Sequence, residues 1–168
     1  LCFRSYIETK TFDMADISAR GVKWYDGGAG EGLGGSTAIA CWLMDPQENP
    51  NPVPWFEAGR KAREISPFVH KGRNNENGYK IRSAPSNGPL MRGAIVGLLG
   101  SGEKLRQMSR DLTILTHDFE ENYQTSELLA FTIEQICTGK SKSEILQTLN
   151  EQYGDVIEMC QQSLAPNI

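Results

Sequence analysis

The chain has 168 residues, of which 39% are hydrophobic and 23% charged, and its formal net charge is -4. Those proportions are ordinary for a globular domain, and the acidic balance argues against a nucleic-acid backbone or an anionic membrane as the main partner. The longest apolar stretch, Met91 to Leu99, is broken by Arg92 and is too short to cross a bilayer.

Leu1 to Thr11 carries Arg4, Glu8 and Lys10 among its apolar residues, so it does not read as a signal peptide. Cys2, Cys41, Cys137 and Cys160 are widely spaced, with only His70 and His117 to assist them, which is no zinc pattern. They are expected to be reduced thiols in a cytoplasmic protein.

In chain order, Leu1 to Glu8 has helical spacing but no N-cap, as if a helix were entered halfway. Asp13 or Thr11 can cap a helix from Met14 to Tyr25 that stops at Gly27-Gly28. After the glycine-rich stretch Gly27 to Gly35, Ser36 or the preceding glycine opens a short helix, Thr37 to Met44. Asp45 to Pro54 is crowded with proline and asparagine and excludes a regular element.

Trp55 to Ile65 is a charged helix, and Ser66 to Ser86 is a long irregular segment. Gly88 to Leu99 is apolar on nearly all sides and is expected to lie in a core. A helix over Glu103 to Leu115 follows. Asp118 then caps a long helix to Thr138, whose buried stripe should include Tyr123, Leu128, Leu129, Phe131, Ile133 and Ile136. Ser141 and Glu144 have capping-box spacing for a helix over Lys142 to Gln152, and a last helix runs from Asp155 to Ser163. No segment alternates as a strand would, so the fold class is all-α, and residues 1–168 are expected to form a single domain.

Gly30 to Gly35 satisfies G-x-G-x-x-G by letters, but a helix rather than a strand precedes it, and no lysine completes a P-loop at Gly35-Ser36-Thr37. Such a loop is either a hinge or a set of backbone N–H groups converging on an anion. Ser83 to Gly88 runs directly into Pro89-Leu90-Met91-Arg92. This polar turn is either a binding element or a structural start in which Asn87 caps the helix and Asn87-Gly88 takes a positive φ. Arg92 sits in an apolar helix, so it should meet a carboxylate on a neighbouring helix or a ligand phosphate. His117 reads by itself as a satisfied interhelical histidine. Asp111 and Asp118 make no catalytic dyad, and Glu120 and Glu121 suit the positive end of a helix.

Taken in order, the Gly-rich loop with Ser36-Thr37, the Ser86-Asn87-Gly88-Pro89-Leu90-Met91-Arg92 segment and Leu115-Thr116-His117 resemble the ADP-ribosylglycohydrolase family over Leu1 to Leu149. The resemblance implies an all-α hydrolase that cleaves the glycosidic bond between ADP-ribose and a protein or small-molecule acceptor, assisted by two Mg2+ ions. It implies that Ser83, Ala84, Pro85, Ser86, Asn87 and Gly88 line the ADP-ribose diphosphate and ribose. His117 would contact the same ligand, and Gly30, Gly32 and Gly34 would border the pocket. The family's metal ligands come from an Asp-Asp-Thr segment and an Asp-x-Asp-Thr segment, and the chain contains neither. The chain is therefore expected to be the central portion of such a domain, truncated at both ends, with no metal ligand of its own and no turnover by itself. Glu31 stands beside a position where some members carry a base, and could substitute for it. The implied partners are ADP-ribose or an ADP-ribosylated protein, without membrane or direct nucleic-acid binding. An inactive ADP-ribose-binding relative and a helical adaptor are the alternatives.

Overall fold

Side-chain hydrogen bonds cap the start of two of the helices among the described residues. Asp13 Oδ1 accepts the N–H groups of Ala15 and Asp16 at 2.9 and 3.1 Å, opening α2 (Met14–Trp24). A computed structural model of the chain describes residues 1–26, 34–66, 68–70, 79–81 and 83–164. Before α2 comes α1 (Cys2–Thr9), closed by Lys10 in the left-handed region at φ 60°. Arg20 ties the two together, reaching Glu8 and Asp16 at 2.6 Å each.

The third helix, α3 (Gly35–Met44), begins two residues before the expected Thr37, after an extended Gly34 whose backbone alone caps it. Its Ala38, Ile39, Ala40 and Leu43 pack against Ala58 and Ala62 of α4 (Trp55–Glu64). The loop between them is organised by its own polar groups: Asp45 Oδ1 accepts Gln47 N–H at 2.8 Å, and Asn49 Nδ2 donates to Leu43 O at 2.9 Å. The segment read as irregular from Ser66 to Ser86 contains a short antiparallel ribbon, β1 (Phe68–His70) with β2 (Tyr79–Ile81), Val69 pairing with Lys80. Three-residue strands are too short to leave an alternation signal in sequence. The fold is otherwise all-α among the described residues.

Four more helices follow: α5 (Gly88–Leu99), α6 (Gly102–Ile114), α7 (Glu120–Cys137) and α8 (Lys142–Leu164). The last is two helical runs joined at Tyr153, whose φ of -132° breaks the helix where the two expected helices meet. The expected capping box is present, with Ser141 N–H donating to Glu144 Oε2 at 2.8 Å and Glu144 N–H to Ser141 Oγ at 3.4 Å.

Three sequence expectations fail here. Asp118 does not cap α7; Phe119 occupies the N-cap, and Asp118 Oδ1 accepts the Tyr123 hydroxyl at 2.8 Å. Helix α5 is not enclosed, because Met91 is 73% and Leu98 58% exposed. The stripe of α7 nearest the interior is Asn122, Ser126 and Ala130, small or polar residues, while Ile136 is 55% exposed.

A single cause links the last two. Along α5, Gly93 and Gly97 press directly on the α7 backbone; a Cβ at Gly97 would lie 2.3 Å from Ala130 O. Two backbones that close set Ser126 and Ala130 at the crossing, with Leu129 and Ile133 packed beside the glycines and Met91, Leu98 and Ile136 turned outward. The main core lies beside this crossing, where Met14, Ile17, Val96, Leu105, Met108, Leu112, Leu115 and Ala130 meet.

Candidate functional site

Ser83 to Gly88 is held at both ends by hydrogen bonds from four other segments. Ser36, in the first turn of α3, accepts from Ala84 N–H at 3.0 Å and Ser83 Oγ at 3.1 Å, and donates to Ala84 O at 3.2 Å. Ser66 Oγ accepts Ser83 N–H at 3.0 Å. At the other end, Asn122 of α7 grips the peptide of Ser86 from both sides: its Nδ2 donates to Ser86 O at 2.6 Å and its Oδ1 accepts Ser86 N–H at 3.4 Å. His117 Nε2 lies 2.8 Å from Ser86 Oγ.

His117 is positioned by the end of α6. Its N–H donates to Thr113 O at 2.9 Å as the helix unwinds. Arg63 of α4 then clasps the corner, donating to Asp118 O at 2.9 Å with its guanidinium 5.1 Å from the Phe119 ring centroid. The ring is 1% exposed, and Nδ1 meets Thr116 Oγ1 at 2.7 Å. Burial, with a smaller contribution from Arg92, pushes the imidazole pKa down to about 4, so His117 is neutral at pH 7. Gly88 makes room for the ring: a Cβ there would stand 3.1 Å from His117 Cε1.

Ser86, Asn87 and Gly88 form part of the wall of a cavity of about 560 Å³, together with Gly34, Trp24, Met44 and Arg92. That volume lies within the range of roughly 300–1,000 Å³ found for small-molecule sites. Of the two partners expected of Arg92, the carboxylate on a neighbouring helix is not there among the described residues. The Arg92 Nη2 donates to Thr116 Oγ1, and its Nε is buried with no hydrogen-bond partner. Cys2 and Cys41 also lie on this wall. Burial raises both thiols despite Arg92, Cys41 to about 12, so neither supplies a thiolate as counter-charge.

A second hollow, of about 380 Å³ between α6 and α7, differs in kind. Its charges answer one another, with Arg106 3.2 Å from Glu127 and Arg110 stacked 4.8 Å above the Tyr123 ring.

Several site expectations from sequence meet at the first cavity. Ser86, Asn87, Gly88 and Gly34 lie on its wall, and His117 stands behind Ser86. Ser83 and Ala84 are turned to Ser36 instead, and Pro85 is exposed. Gly30, Glu31 and Gly32 lie outside the described residues. Asn87 occupies the N-cap of α5 as expected, but its side chain makes no capping bond and its φ is -76°, not positive. Sequence reasoning overlooked Ser36, Thr116 and Asn122 as the residues that hold this segment. Thr116 adjoins His117 directly, but only the crossing of α5 and α7 brings Asn122 to Ser86.

A profile of the ADP-ribosylglycohydrolase family matches residues 1–166. The chain belongs to that family. Comparison with curated proteins gives no match, and neither does comparison with solved structures. The cavity of this ADP-ribosylglycohydrolase-family chain does not itself fit a pair of magnesium ions. Hard cations of that kind take oxygen ligands, chiefly carboxylates, and among the described residues of the wall there is no carboxylate but there is a guanidinium. Acidic oxygens do converge elsewhere: those of Asp26, Asp45 and Glu48 lie within 4.8 Å of one another, a donor set that could hold a metal ion. None of the described helices is long and apolar enough to cross a membrane.

Proposed function

We propose that the cavity receives the ADP-ribose part of an ADP-ribosylated protein or small conjugate, and that the chain serves hydrolysis of the glycosidic bond joining ADP-ribose to its acceptor. The observation that carries this reading is the hydrogen-bonded end of the Ser83 to Gly88 segment. Ser86 is fastened by Asn122 and His117 beside the 560 Å³ cavity, within a chain matched by the family profile over residues 1–166. Peptide groups locked in place before a ligand arrives bind it without a further ordering cost. Arg92 adds a guanidinium with no carboxylate partner among the described residues to the same wall, which suits a diphosphate. Trp24 adds an aromatic face suited to a nucleobase.

In this reading the chain's own residues bind and orient. Ser86 presents its hydroxyl, Arg92 supplies the cationic field, and the apolar wall keeps water from the bound ribosyl group. Glu31 is the proposed carboxylate for activating water. The magnesium pair implied by the family has no ligand set among the described residues of this wall, so these roles are drawn without it.

Titration calorimetry with ADP-ribose, set beside AMP and free ribose, tests the reading. Saturable binding of ADP-ribose, tighter than either part, is expected. Absence of binding at millimolar ADP-ribose contradicts it. A second reading, ADP-ribose binding without hydrolysis, is favoured by the lack of a carboxylate among the described wall residues. Incubation with an ADP-ribosylated peptide separates the two, because only the first releases free ADP-ribose.

A further inference from the structure

Four side chains in contact settle among themselves which donates and which accepts. Arg92 has donors only, so its Nη2 must donate to Thr116 Oγ1. Thr116 Oγ1 lies 2.7 Å from His117 Nδ1, and His117 Nε2 lies 2.8 Å from Ser86 Oγ. Gly88 N–H also donates to Ser86 Oγ, at 3.3 Å. A neutral imidazole carries a single N–H, and burial keeps this one neutral at pH 7.

Two proton placements are consistent with those distances. If Nδ1 carries the proton it donates to Thr116, whose own hydroxyl proton then has no acceptor. Thr116 is 2% exposed, and its hydroxyl meets only the Arg92 donor and the imidazole among the described residues. A buried hydroxyl left in that state is costly. If Nε2 carries the proton, Thr116 O–H donates to Nδ1 and Nε2–H donates to Ser86 Oγ, so the donors of both Thr116 and His117 are used. Ser86 then accepts twice, from His117 and from Gly88, and keeps its own proton. Ser86 is exposed and on the cavity wall, so that proton is free to point into the cavity.

We infer that Arg92, Thr116 and His117 form a one-way hydrogen-bond relay that fixes Ser86 as a donor into the cavity, where it meets an acceptor oxygen of the ligand. Successive donors polarise one another, and the guanidinium at the head of the relay favours an oxygen bearing negative charge. Resting on the proposed function for the ligand's identity, that atom is a phosphate oxygen of ADP-ribose. Ser86 touches the ligand; Arg92 and Thr116 are positioning residues that act through His117.

The chain holds two histidines, His70 and His117, so long-range 15N-edited NMR at pH 7, with His70→Gln to identify the signals, reads the tautomer directly. The relay requires His117 with its proton on Nε2, in the free protein and in Thr116→Ser. A proton on Nδ1, or an imidazolium at pH 7, overturns it. Titration with ADP-ribose provides the second readout. Ser86→Ala should weaken binding by about ten-fold, the loss of one hydrogen bond to a charged group. Thr116→Val should also weaken it, while Thr116→Ser retains wild-type affinity. Equal affinity in Ser86→Ala and wild type overturns the donor role and leaves the proposed function standing. If ADP-ribose does not bind at all, the proposed function fails, and the NMR result still decides the relay. Should Thr116→Val fail to fold, the wild-type tautomer and Ser86→Ala suffice.

Discussion

The two ends of the α5–α7 pair solve opposite problems with the same two helices. At the C-terminal end, Gly97 lies against Ala130 and Ile133 so closely that an added Cβ would stand 2.3 and 2.7 Å from them. At the N-terminal end, Asn122 and the start of α5 enclose a polar segment, with Ser86 bonded to both Asn122 and His117. The dry end tolerates nothing between the backbones, and the polar end opens onto the cavity. Close packing at one end fixes the spacing at the other, so hydrogen bonds such as Asn122 to Ser86, at 2.6 Å, depend on glycines that never touch the cavity.

The largest effect should follow from disturbing the dry end. Gly97→Ala is expected to lower stability by about 3 kcal/mol, since the obstruction is backbone and cannot rotate aside. Gly154→Ala is its control, because nothing lies within 4 Å of the added Cβ, and its urea midpoint should not fall. Equal midpoints for the two variants would remove the dry end from the account.

Asn122→Ala comes next. It strips both bonds from the Ser86 peptide and should cost about 2 kcal/mol, read as a lower urea midpoint, with weaker ADP-ribose binding in titrations of the variant that remains folded. A full loss of stability with unchanged affinity would show that Asn122 serves the packing and not the segment.

A smaller, pH-dependent effect should come from His117. Its pKa in the folded chain, about 4, is below the ordinary 6.5. As pH falls the unfolded chain takes up its proton first, so the stability contributed by the neutral ring is complete above about pH 6.5 and is lost as pH falls toward 4. Between pH 7.5 and 5, wild type should therefore lose more stability than His117→Gln in urea titrations. Parallel losses would mean that the imidazole is not held neutral.

The smallest effect is expected at Gly88. An alanine there would bring a Cβ to 3.1 Å from His117 Cε1, a contact relieved by a slight tilt of the ring. Stability should change by about 0.5 kcal/mol or less, whereas ADP-ribose affinity should fall measurably as the Ser86 hydroxyl shifts with the ring. Unchanged affinity would detach Gly88 from the relay.

Helix boundaries were legible in the sequence wherever a local signal creates them. Asp13 caps α2, Ser141 with Glu144 opens α8, and the chain bends at Tyr153 where one helical pattern gives way to another. Those signals act over a few residues and need no knowledge of tertiary neighbours. The stripe of α7 was legible only in part: Leu129 and Ile133 do face Gly93 and Gly97 of α5, but periodicity weights bulky residues and passes over Ser126 and Ala130 at the same crossing, and Ile136 is exposed. Arg92 was expected to meet a carboxylate or a ligand phosphate, and within the chain it meets the Thr116 hydroxyl, a residue 24 positions away that only the tertiary fold brings near. Asp118 has the composition of a cap but lies one residue too early, and the Tyr123 hydroxyl takes its carboxylate. Of the candidate site, Ser86, Asn87, Gly88, Gly34 and His117 were named from sequence, while Asn122, and the hold of Ser36 on Ser83 and Ala84, emerge only from long-range contacts.

The central claim is that ligand binding takes place where Ser86, Asn87 and Gly88 meet the cavity. Backbone amide NMR shifts recorded during titration with ADP-ribose test it most directly. The account predicts saturable changes concentrated at Gly34, Ser86, Gly88 and Thr116. Changes confined to the α6–α7 hollow around Arg106 and Arg110, or none at all, would contradict it.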